Sequence, residues 1–263
     1  MTAKRGTVPP LSGRRIVVTR RPEQSASLCS RLRELGATVV ELPLIEIAEP
    51  ADPAAVDGAL RALQRYDWVV FTSANAVRAV ARRARALGIG PAEWRARKIA
   101  SVGPATTAAL RESFAGVAIA AEPAVHDALN VLKELAGHAR GRRFLLPTSD
   151  RAREALAEGL RAAGAAVDVV VAYRTTAPDG LRERALEGLR DGADAVVFAS
   201  PSAVQNLLAA AGELAPRVKA AVIGPVTEQA CRRAGIDVVA VAAPATAEGL
   251  ADALVRHFSA APP

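Results

Sequence analysis

The sequence has few of the residues on which cofactor and metal chemistry usually depends. It contains two cysteines and three histidines in 263 residues, and His126, His138 and His257 do not have the spacing of metal ligands. It has no glycine-rich dinucleotide motif, no phosphate-binding loop and no His-Glu-x-x-His motif. We therefore expect neither a metal nor a cofactor, so any chemistry must use hydroxyl groups, backbone amides and charge.

Long apolar runs are also missing. No run approaches the ~18–20 residues that a membrane span needs. The segment up to Gly13 is short, polar and contains two prolines, unlike a signal peptide or an anchor. Cys29 and Cys231 fall in helical patterns of opposite halves, so a disulfide framework is not expected. These features predict a protein of a reducing cytoplasm that has no membrane partner.

The positive charge raises the question of a partner. The net charge of +7 first suggests nucleic acid. Aromatic residues make up only 3% of the chain and stand singly, however, and there is no basic tail and no helix-turn-helix spacing. Most arginines fall in helical patterns, where they form either a solvated surface or a site for a small polyanion. The sequence leaves those two explanations open and does not favour nucleic acid.

What the sequence does contain is an internal repeat. The segment from Asp67 to Val77 returns 127 residues later as the segment from Asp194 to Val204. The Gly-Arg-Arg motif at residues 13–15 returns at 141–143, and the Gly-Pro-x-Thr motif at 103–106 returns at 224–227. Three matches in the same order predict two similar α/β units with a ligand cleft between them.

The secondary-structure pattern is the same in both halves. Short β-branched runs alternate with alanine-rich helical patterns, which predicts ten strands, five in each unit, in parallel sheets. Two predicted strands, residues 38–48 and 166–177, are longer than a sheet needs and alternate apolar with polar residues. We expect these two extensions to pair with each other and to bridge the units.

Polar clusters follow six of the predicted strands, and each comes just before a predicted helix. Free N–H groups and the positive dipole end of such helices favour carboxylates, although a helix cap is the alternative role for each hydroxyl. Six clusters at the carboxyl ends of strands in a basic chain favour a polycarboxylate ligand. The clusters are residues 19–21, 72–75, 103–106, 148–150, 200–202 and 224–227.

Tyr173 is one of only two tyrosines, and it lies on the second of the long strands. Its position predicts a hydroxyl near the cleft, where a tyrosine can act as a hydrogen-bond donor or as a general acid. The alternative is an ordinary half-buried tyrosine of a strand.

These motifs resemble those of the uroporphyrinogen-III synthases. The resemblance covers nearly the whole chain, from Gly13 to about Phe258, and depends on several short motifs that are specific only in combination. The motifs are Val17-Val-Thr-Arg20, residues 70–77, Ser101-Val-Gly103, Ala172-Tyr-Arg-Thr175, residues 197–202 and residues 221–227.

The resemblance implies an α/β fold with two flavodoxin-like parallel-sheet domains of five strands each, bridged by a two-stranded antiparallel ladder. Domain 1 would hold residues 1–42 and 178–263, domain 2 residues 50–170, and the ladder residues 43–49 and 171–177. From the repeat alone, a contiguous division near residue 140 is equally consistent. The resemblance further implies a monomer.

The implied reaction is the cyclisation of hydroxymethylbilane, a linear polycarboxylate tetrapyrrole, with inversion of its last pyrrole ring and loss of water, a step of tetrapyrrole and haem biosynthesis. A non-catalytic sensor domain of the same fold is the alternative. The resemblance assigns Tyr173 to assisting departure of the hydroxyl, and matches Thr227 to a substrate-contacting threonine and Lys219 to a basic residue of its strand. With the helix-start clusters, it gives as candidates for substrate binding Arg20, Ser73, Ala74, Asn75, Gly103, Thr106, Ser149, Ser200, Ser202, Lys219, Gly224 and Thr227.

Overall fold

The computed structural model describes residues 8–125, 127–152 and 154–260. The chain divides into two compact units. Unit 1 comprises Met1–Glu46 and Thr176–Pro263, and unit 2 comprises Ile47–Thr175. Among the described helices, none combines the length and the apolar character that crossing a membrane requires.

Strands and helices alternate through both units. The strands are β1 (Arg15–Val18), β2 (Thr38–Glu41), β3 (Glu46–Ala48), β4 (Trp68–Phe71), β5 (Lys98–Ser101), β6 (Ile119–Ala121), β7 (Arg143–Ser149), β8 (Ala166–Thr176), β9 (Ala195–Phe198), β10 (Lys219–Val222) and β11 (Asp237–Val241). The helices are α1 (Pro22–Glu34), α2 (Ala54–Arg61), α3 (Ala74–Ala86), α4 (Pro91–Arg95), α5 (Pro104–Ser113), α6 (Ala128–Ala136), α7 (Ala155–Ala162), α8 (Leu181–Arg190), α9 (Pro201–Ala211), α10 (Pro225–Arg233) and α11 (Ala247–Ala260).

The sheet of unit 1 has the order β11-β10-β9-β1-β2, and its neighbouring strands are parallel. Its central strands are apolar throughout because helices cover both faces. One core cluster joins Ile16 of β1 to Leu28 of α1 and Leu250 of α11. The other joins Val17 to helices α8, α9 and α10, with Leu207 fully buried.

The sheet of unit 2 has the order β3-β8-β7-β4-β5-β6. Its five strands from β8 to β6 are parallel. Numbered along the chain, the strand order is the flavodoxin-like 2-1-3-4-5 in unit 1 and 5-4-1-2-3 in unit 2, which is a circular permutation of the same arrangement. The prediction of an α/β fold with two parallel sheets is therefore confirmed. The strand count differs, because β3 adds a sixth strand beside β8.

The predicted continuous strand over residues 38–48 is wrong. Strand β2 ends at Glu41 and β3 begins at Glu46, while β8 is one strand of 11 residues. Between β2 and β3, Pro43 has no N–H with which to continue a ladder. The side chains of Leu42 and Leu44 on either side of it are buried in the core of unit 1. The inferred ladder segment 43–49 is thus extended as a strand only at Glu46–Ala48.

One part of the repeat has a structural role that is the same in both units. In unit 2, the Asp67 carboxylate accepts hydrogen bonds from the Arg143 backbone N–H and the Arg142 guanidinium, each at 2.9 Å. In unit 1, the Asp194 carboxylate accepts the equivalent bonds, from the Arg15 backbone N–H at 2.8 Å and from the Arg14 guanidinium at 3.0 Å. Each aspartate therefore ties the start of one strand to the start of its neighbour.

Candidate functional site

In unit 2, the predicted site residues lie at one edge of the sheet. Ser73 and Gly103 follow β4 and β5, Ser149 ends β7, and Tyr173 is close to the end of β8. These strands are parallel, so their carboxyl ends meet at the same edge. The sequence argument for this half of the site agrees with the observed order of strands.

Ser73 begins helix α3 as its N-cap. Its backbone is extended, and its Oγ accepts a hydrogen bond of 3.1 Å from the N–H of Ala76. This is the usual reason for a serine between a buried strand and an alanine-rich helix. The helix is held against the sheet by Val77 and Val80, which are fully buried. Ala74 and Asn75 are the first two residues of the helix.

The Tyr173 hydroxyl is 3.1 Å from Ser73 Oγ, and the whole residue is only 7% exposed. A β-bulge precedes it: Thr148 pairs with Val171, but Ser149 pairs with Tyr173, which leaves Ala172 as an extra residue in β8. The Tyr173 carbonyl also accepts from the Asp150 N–H at 3.2 Å. Bulges are frequent beside functional sites because they redirect side chains, and this one sets the backbone position of Tyr173.

Tyr173 lines a cavity of about 420 Å³ within unit 2. The walls include apolar side chains of β7, β8 and α7, and its polar groups are hydroxyls and two carboxyls. This combination suits a flat ring with polar substituents. The apolar lining residues include Leu146, Leu156, Val169 and Val171, and the polar ones are Thr72, Thr148, Ser149, Asp150, Glu154 and Tyr173.

The two Gly-Pro-x-Thr motifs begin helices in the same way. Helices α5 and α10 start after Gly103 and Gly224, and neither start has a side-chain cap. Thr106 and Thr227 are 5% and 3% exposed, and within the described part of the chain neither hydroxyl has a hydrogen-bond partner. Both starts therefore offer backbone N–H groups without a side-chain cap and a hydroxyl to which no group of the described residues is hydrogen-bonded.

In unit 1, Ser200 caps α9 as Ser73 caps α3, and its Oγ accepts from the Ala203 N–H at 3.3 Å. Ser202 lies half-buried in the first turn of that helix. Both serines follow the carboxyl end of β9, at the edge where β10 is followed by Gly224.

Arg20 follows β1 at that edge of the same sheet. Partial burial, and secondarily the charge of Arg21, lower the pKa of the Arg20 guanidinium. Among the residues that the structure describes, no carboxylate forms an ion pair with Arg20. A partly desolvated cation without a carboxylate partner favours an anionic ligand.

Two predicted site residues have other surroundings. Lys219 is the exposed first residue of β10, so the structure places it at the amino end of that strand, away from Gly224 and Thr227. The cluster at residues 148–150 was predicted to open a helix at Arg151, and this is wrong because α7 begins at Ala155. Ser149 instead ends β7, and its Oγ accepts from the Arg151 N–H at 3.3 Å.

A group of polar side chains beside Gly103 was not predicted. The hydroxyls of Ser101 and Thr107 are hydrogen-bonded to each other, and Thr107 donates to a Glu122 carboxylate oxygen at 2.8 Å. Ser101 is fully buried, so these contacts tie the start of α5 to the segment after β6. Thr107, directly after the Gly-Pro-x-Thr motif, could have indicated this group from the sequence, but nothing in the sequence around Glu122 indicated its part in it.

The described residues contain no group of three histidine, cysteine, aspartate or glutamate side chains that could hold a metal ion. His126 lies outside the described residues.

Comparison with known proteins gives one consistent family. The chain matches the family model described as uroporphyrinogen-III synthase HemD over residues 26–252. It is 33% identical to a protein of Methanothermobacter thermautotrophicus over 238 residues, which cover 85% of this chain and 91% of the relative. It is 32% identical to the uroporphyrinogen-III synthase of Synechococcus elongatus, over 75% of this chain and 74% of that relative.

Solved structures show the same fold. The chain resembles uroporphyrinogen-III synthetase of Helicobacter pylori with a TM-score of 0.65 at 16% identity, over 92% of this chain and 99% of the other. It resembles a mutant uroporphyrinogen III synthase of Thermus thermophilus with a TM-score of 0.64 at 20% identity, over 94% and 99%. At these identities the likeness concerns the fold alone.

Proposed function

The chain belongs to the uroporphyrinogen-III synthase family, and from that membership we propose that it cyclises hydroxymethylbilane to uroporphyrinogen III. The reaction inverts the last pyrrole ring and releases water, within tetrapyrrole biosynthesis. The family matches give no support to the alternative of a non-catalytic sensor domain.

The observation that carries the proposal is Tyr173 near the carboxyl edge of the sheet, where the residue lines a cavity and its hydroxyl is hydrogen-bonded to Ser73. In the proposed reaction, a pyrrole nitrogen of the substrate supplies the electron pair that expels the hydroxyl group. Tyr173 gives its proton to that group, which leaves as water as the carbon–oxygen bond breaks. The last pyrrole ring then attacks the electron-poor carbon through its substituted carbon, which forms a spiro intermediate. The bond from that substituted carbon to its original methylene bridge breaks, and the unsubstituted carbon of the same ring attacks the freed methylene. That carbon finally loses its proton, which restores the tyrosine.

The isomer formed depends on how the substrate is held. Closure without assistance gives the uninverted isomer, so the protein must stabilise the route in which the ring attacks through its substituted carbon. This requires positioning and electrostatic control rather than strong acids or bases. The apolar walls of the cavity, among them Val169 and Val171, suit a pyrrole ring.

We further propose that the helix starts bind the carboxylates of the substrate. Helices α5 and α10 have uncapped N-termini, Thr106 and Thr227 supply hydroxyls, and Arg20 supplies a positive charge. Ser200 and Ser202 would act mainly through the N–H groups of α9, because the Ser200 hydroxyl already serves as its cap. Ser149 would act through the cavity that it lines.

We propose that units 1 and 2 are the two domains of the family fold, and that the protein acts as a cytoplasmic monomer in a pathway that leads to haem.

The test is to add freshly prepared hydroxymethylbilane to the purified chain and to separate the uroporphyrinogen isomers by chromatography. We expect the type III isomer to predominate, whereas a reaction without protein gives type I. Formation of type I alone, at the rate seen without protein, would refute the proposal. Tight binding without conversion would instead indicate the sensor function.

A further inference from the structure

The hydrogen bond between Ser73 and Tyr173 has an arrangement that can be worked out from the donors available. Ser73 Oγ and the Tyr173 oxygen are 3.1 Å apart, and each group carries a single hydroxyl hydrogen. Ser73 Oγ also accepts the N–H of Ala76 as the cap of α3. Within the described residues, neither hydroxyl has any further hydrogen-bond partner.

Only one of the two hydroxyl hydrogens can lie between the two oxygens. If Tyr173 donates to Ser73, the serine hydrogen has no acceptor among the described residues. If Ser73 donates to Tyr173, the tyrosine hydrogen is the one left for a ligand. Tyr173 is among the residues that line the cavity and Ser73 is not, so only the second arrangement leaves a free hydroxyl hydrogen on a residue that borders the cavity.

We propose that Ser73 is a positioning residue whose hydroxyl donates to the Tyr173 oxygen and so directs the tyrosine O–H toward the cavity. This inference rests on the proposed function, because the acceptor of the tyrosine proton is the departing hydroxyl of the substrate. After that transfer, the Ser73 O–H remains hydrogen-bonded to the phenolate and stabilises its charge. The proton that the ring carbon later loses returns to the phenolate oxygen, so protons balance over the cycle.

The position of Ser73 suits this task because the helix fixes it. As N-cap, its Oγ is held by the Ala76 N–H, and the positive end of the helix dipole favours negative charge close to it. Ser200 of unit 1 is held in the same way by the Ala203 N–H, but among the described residues it has no second partner. Both serines therefore cap a helix, but only Ser73 is also hydrogen-bonded to a tyrosine hydroxyl.

Ionisation of Tyr173 gives a direct readout, because the chain has only two tyrosines. Burial, with a hydrogen bond to Asp168 as a second cause, raises the pKa of Tyr66 to about 12. The near-ultraviolet absorbance of each variant is recorded as the pH is raised. Subtracting the curve of Tyr173→Phe, in which only Tyr66 ionises, leaves the titration of Tyr173 in the other variant. Circular dichroism must show that each variant stays folded over the pH range used.

We expect Ser73→Ala to move the Tyr173 titration midpoint to higher pH by roughly one unit, the size expected from losing a donor to a charged oxygen. The matched variant Ser200→Ala removes the equivalent cap, about 1 kcal/mol of stability, and should leave that midpoint where it is. Ser73→Thr should restore it. Ser73→Gly keeps most of the capping energy without the hydroxyl, and it replaces Ser73→Ala if that variant does not fold.

The kinetic arm separates this inference from the proposed function. We expect Ser73→Ala to lower kcat about tenfold with little change in KM, and Ser73→Thr to recover most of kcat. A raised KM with an unmoved tyrosine midpoint would overturn the inference and make Ser73 a substrate ligand. If the unchanged protein forms no type III isomer but the midpoint still moves in Ser73→Ala, the proposed function fails while the hydrogen-bond assignment stands.

Discussion

Helices α3 and α9 begin alike in the two units but have different neighbours. Ser73 and Ser200, 127 residues apart, each cap a helix that follows a central strand of a parallel sheet. Only Ser73 has a tyrosine hydroxyl beside it. The residue 128 positions before Tyr173 is Ile45, which lies outside any strand and packs partly buried on the core of unit 1. Duplication thus explains the shared helix starts, whereas the candidate acid belongs to one copy alone.

A second difference concerns how the helices are held. In unit 2 the Asp57 carboxylate of α2 is paired through both oxygens with the Arg83 guanidinium of α3. At the offset of 127, unit 1 has Arg184 and Ala210, which cannot form this pair. Helices α8 and α9 instead pack through apolar residues such as Leu189 and Leu207. The helix on which Ser73 sits is therefore fixed by charge as well as by packing.

The largest effect should come from removing the tyrosine hydroxyl of unit 2. We expect Tyr173→Phe to lower turnover more than tenfold, which corresponds to over ~1.4 kcal/mol of barrier, because the departing hydroxyl loses its proton donor. Steady-state assay of type III isomer formation measures the change.

Tyr66→Phe is the matched control, because it removes the other tyrosine hydroxyl, which donates to Asp168 and not into the cavity. Its turnover should stay close to that of the unchanged chain. Equal turnover and an equal isomer ratio in Tyr173→Phe and Tyr66→Phe would remove Tyr173 from the reaction.

Much of the fold could be predicted because the signals were local. Apolar runs such as Trp68–Phe71 and the glycine and serine residues before helices gave the alternation of strands and helices, and the family resemblance gave the two-sheet α/β fold. The two extensions were expected to pair, and β3 does lie beside β8, but the sequence did not predict that only Glu46–Ala48 of the first extension forms a strand there. Short segments of this kind depend on tertiary pairing rather than on their own pattern.

The site shows a similar division. The helix starts at Ser73, Gly103, Ser200 and Gly224 were visible from the sequence because each follows a buried strand. The partner of Tyr173 was not, because the two residues are 100 positions apart and a bulge sets the register. For Lys219 the resemblance named the strand, but only the structure shows that the residue stands at its amino end.

The next largest effect should come from the two repeated threonines, and it tests whether both units bind the substrate through them. Thr106→Val and Thr227→Val remove hydroxyls that have no partner in the described chain while keeping the side-chain shape. If each donates to a carboxylate of the substrate, kcat/KM should fall about tenfold in each, since a hydrogen bond to a charged group contributes roughly 1.5–3 kcal/mol. Michaelis–Menten analysis should place the loss mainly in KM.

Thr107→Val is the control in the same helix, because its hydroxyl is committed to Ser101 and Glu122. A stability loss with normal KM is expected there. Loss in only one of the two repeated threonines would show that the units bind the substrate unequally, and loss in neither would exclude both hydroxyls as ligands.

The ion pair of α2 and α3 predicts that acid weakens unit 2. Hydrogen bonding from Arg83 holds the pKa of the Asp57 carboxyl below its usual value of 3.8. A carboxyl with a lowered pKa in the folded state contributes stability above the unfolded value, and this is lost as pH falls through the folded value. Asp57→Asn should therefore destabilise unit 2 at neutral pH and flatten the loss of stability below about pH 3.8.

Tryptophan fluorescence reports this change, because Trp68 and Trp94 both lie in unit 2. Glu34→Gln is the control, since it breaks the exposed pair with Arg31 in unit 1 and should leave the acid transition almost unchanged. An acid transition of Asp57→Asn with the midpoint and slope of the unchanged protein would show that the pair does not stabilise α3.

The smallest effect should come from modifying the thiols, both of which are in unit 1. Burial raises the pKa of Cys231 to about 11 and also raises the pKa of Cys29, so neither buried thiol forms much thiolate at neutral pH. We expect an alkylating reagent to leave the native protein unmodified and its activity unchanged, while both thiols react once denaturant opens unit 1. Mass spectrometry counts the modified thiols. Rapid labelling of Cys231 in the native protein would show that the core of unit 1 beneath α10, the helix that carries Thr227, opens without denaturant.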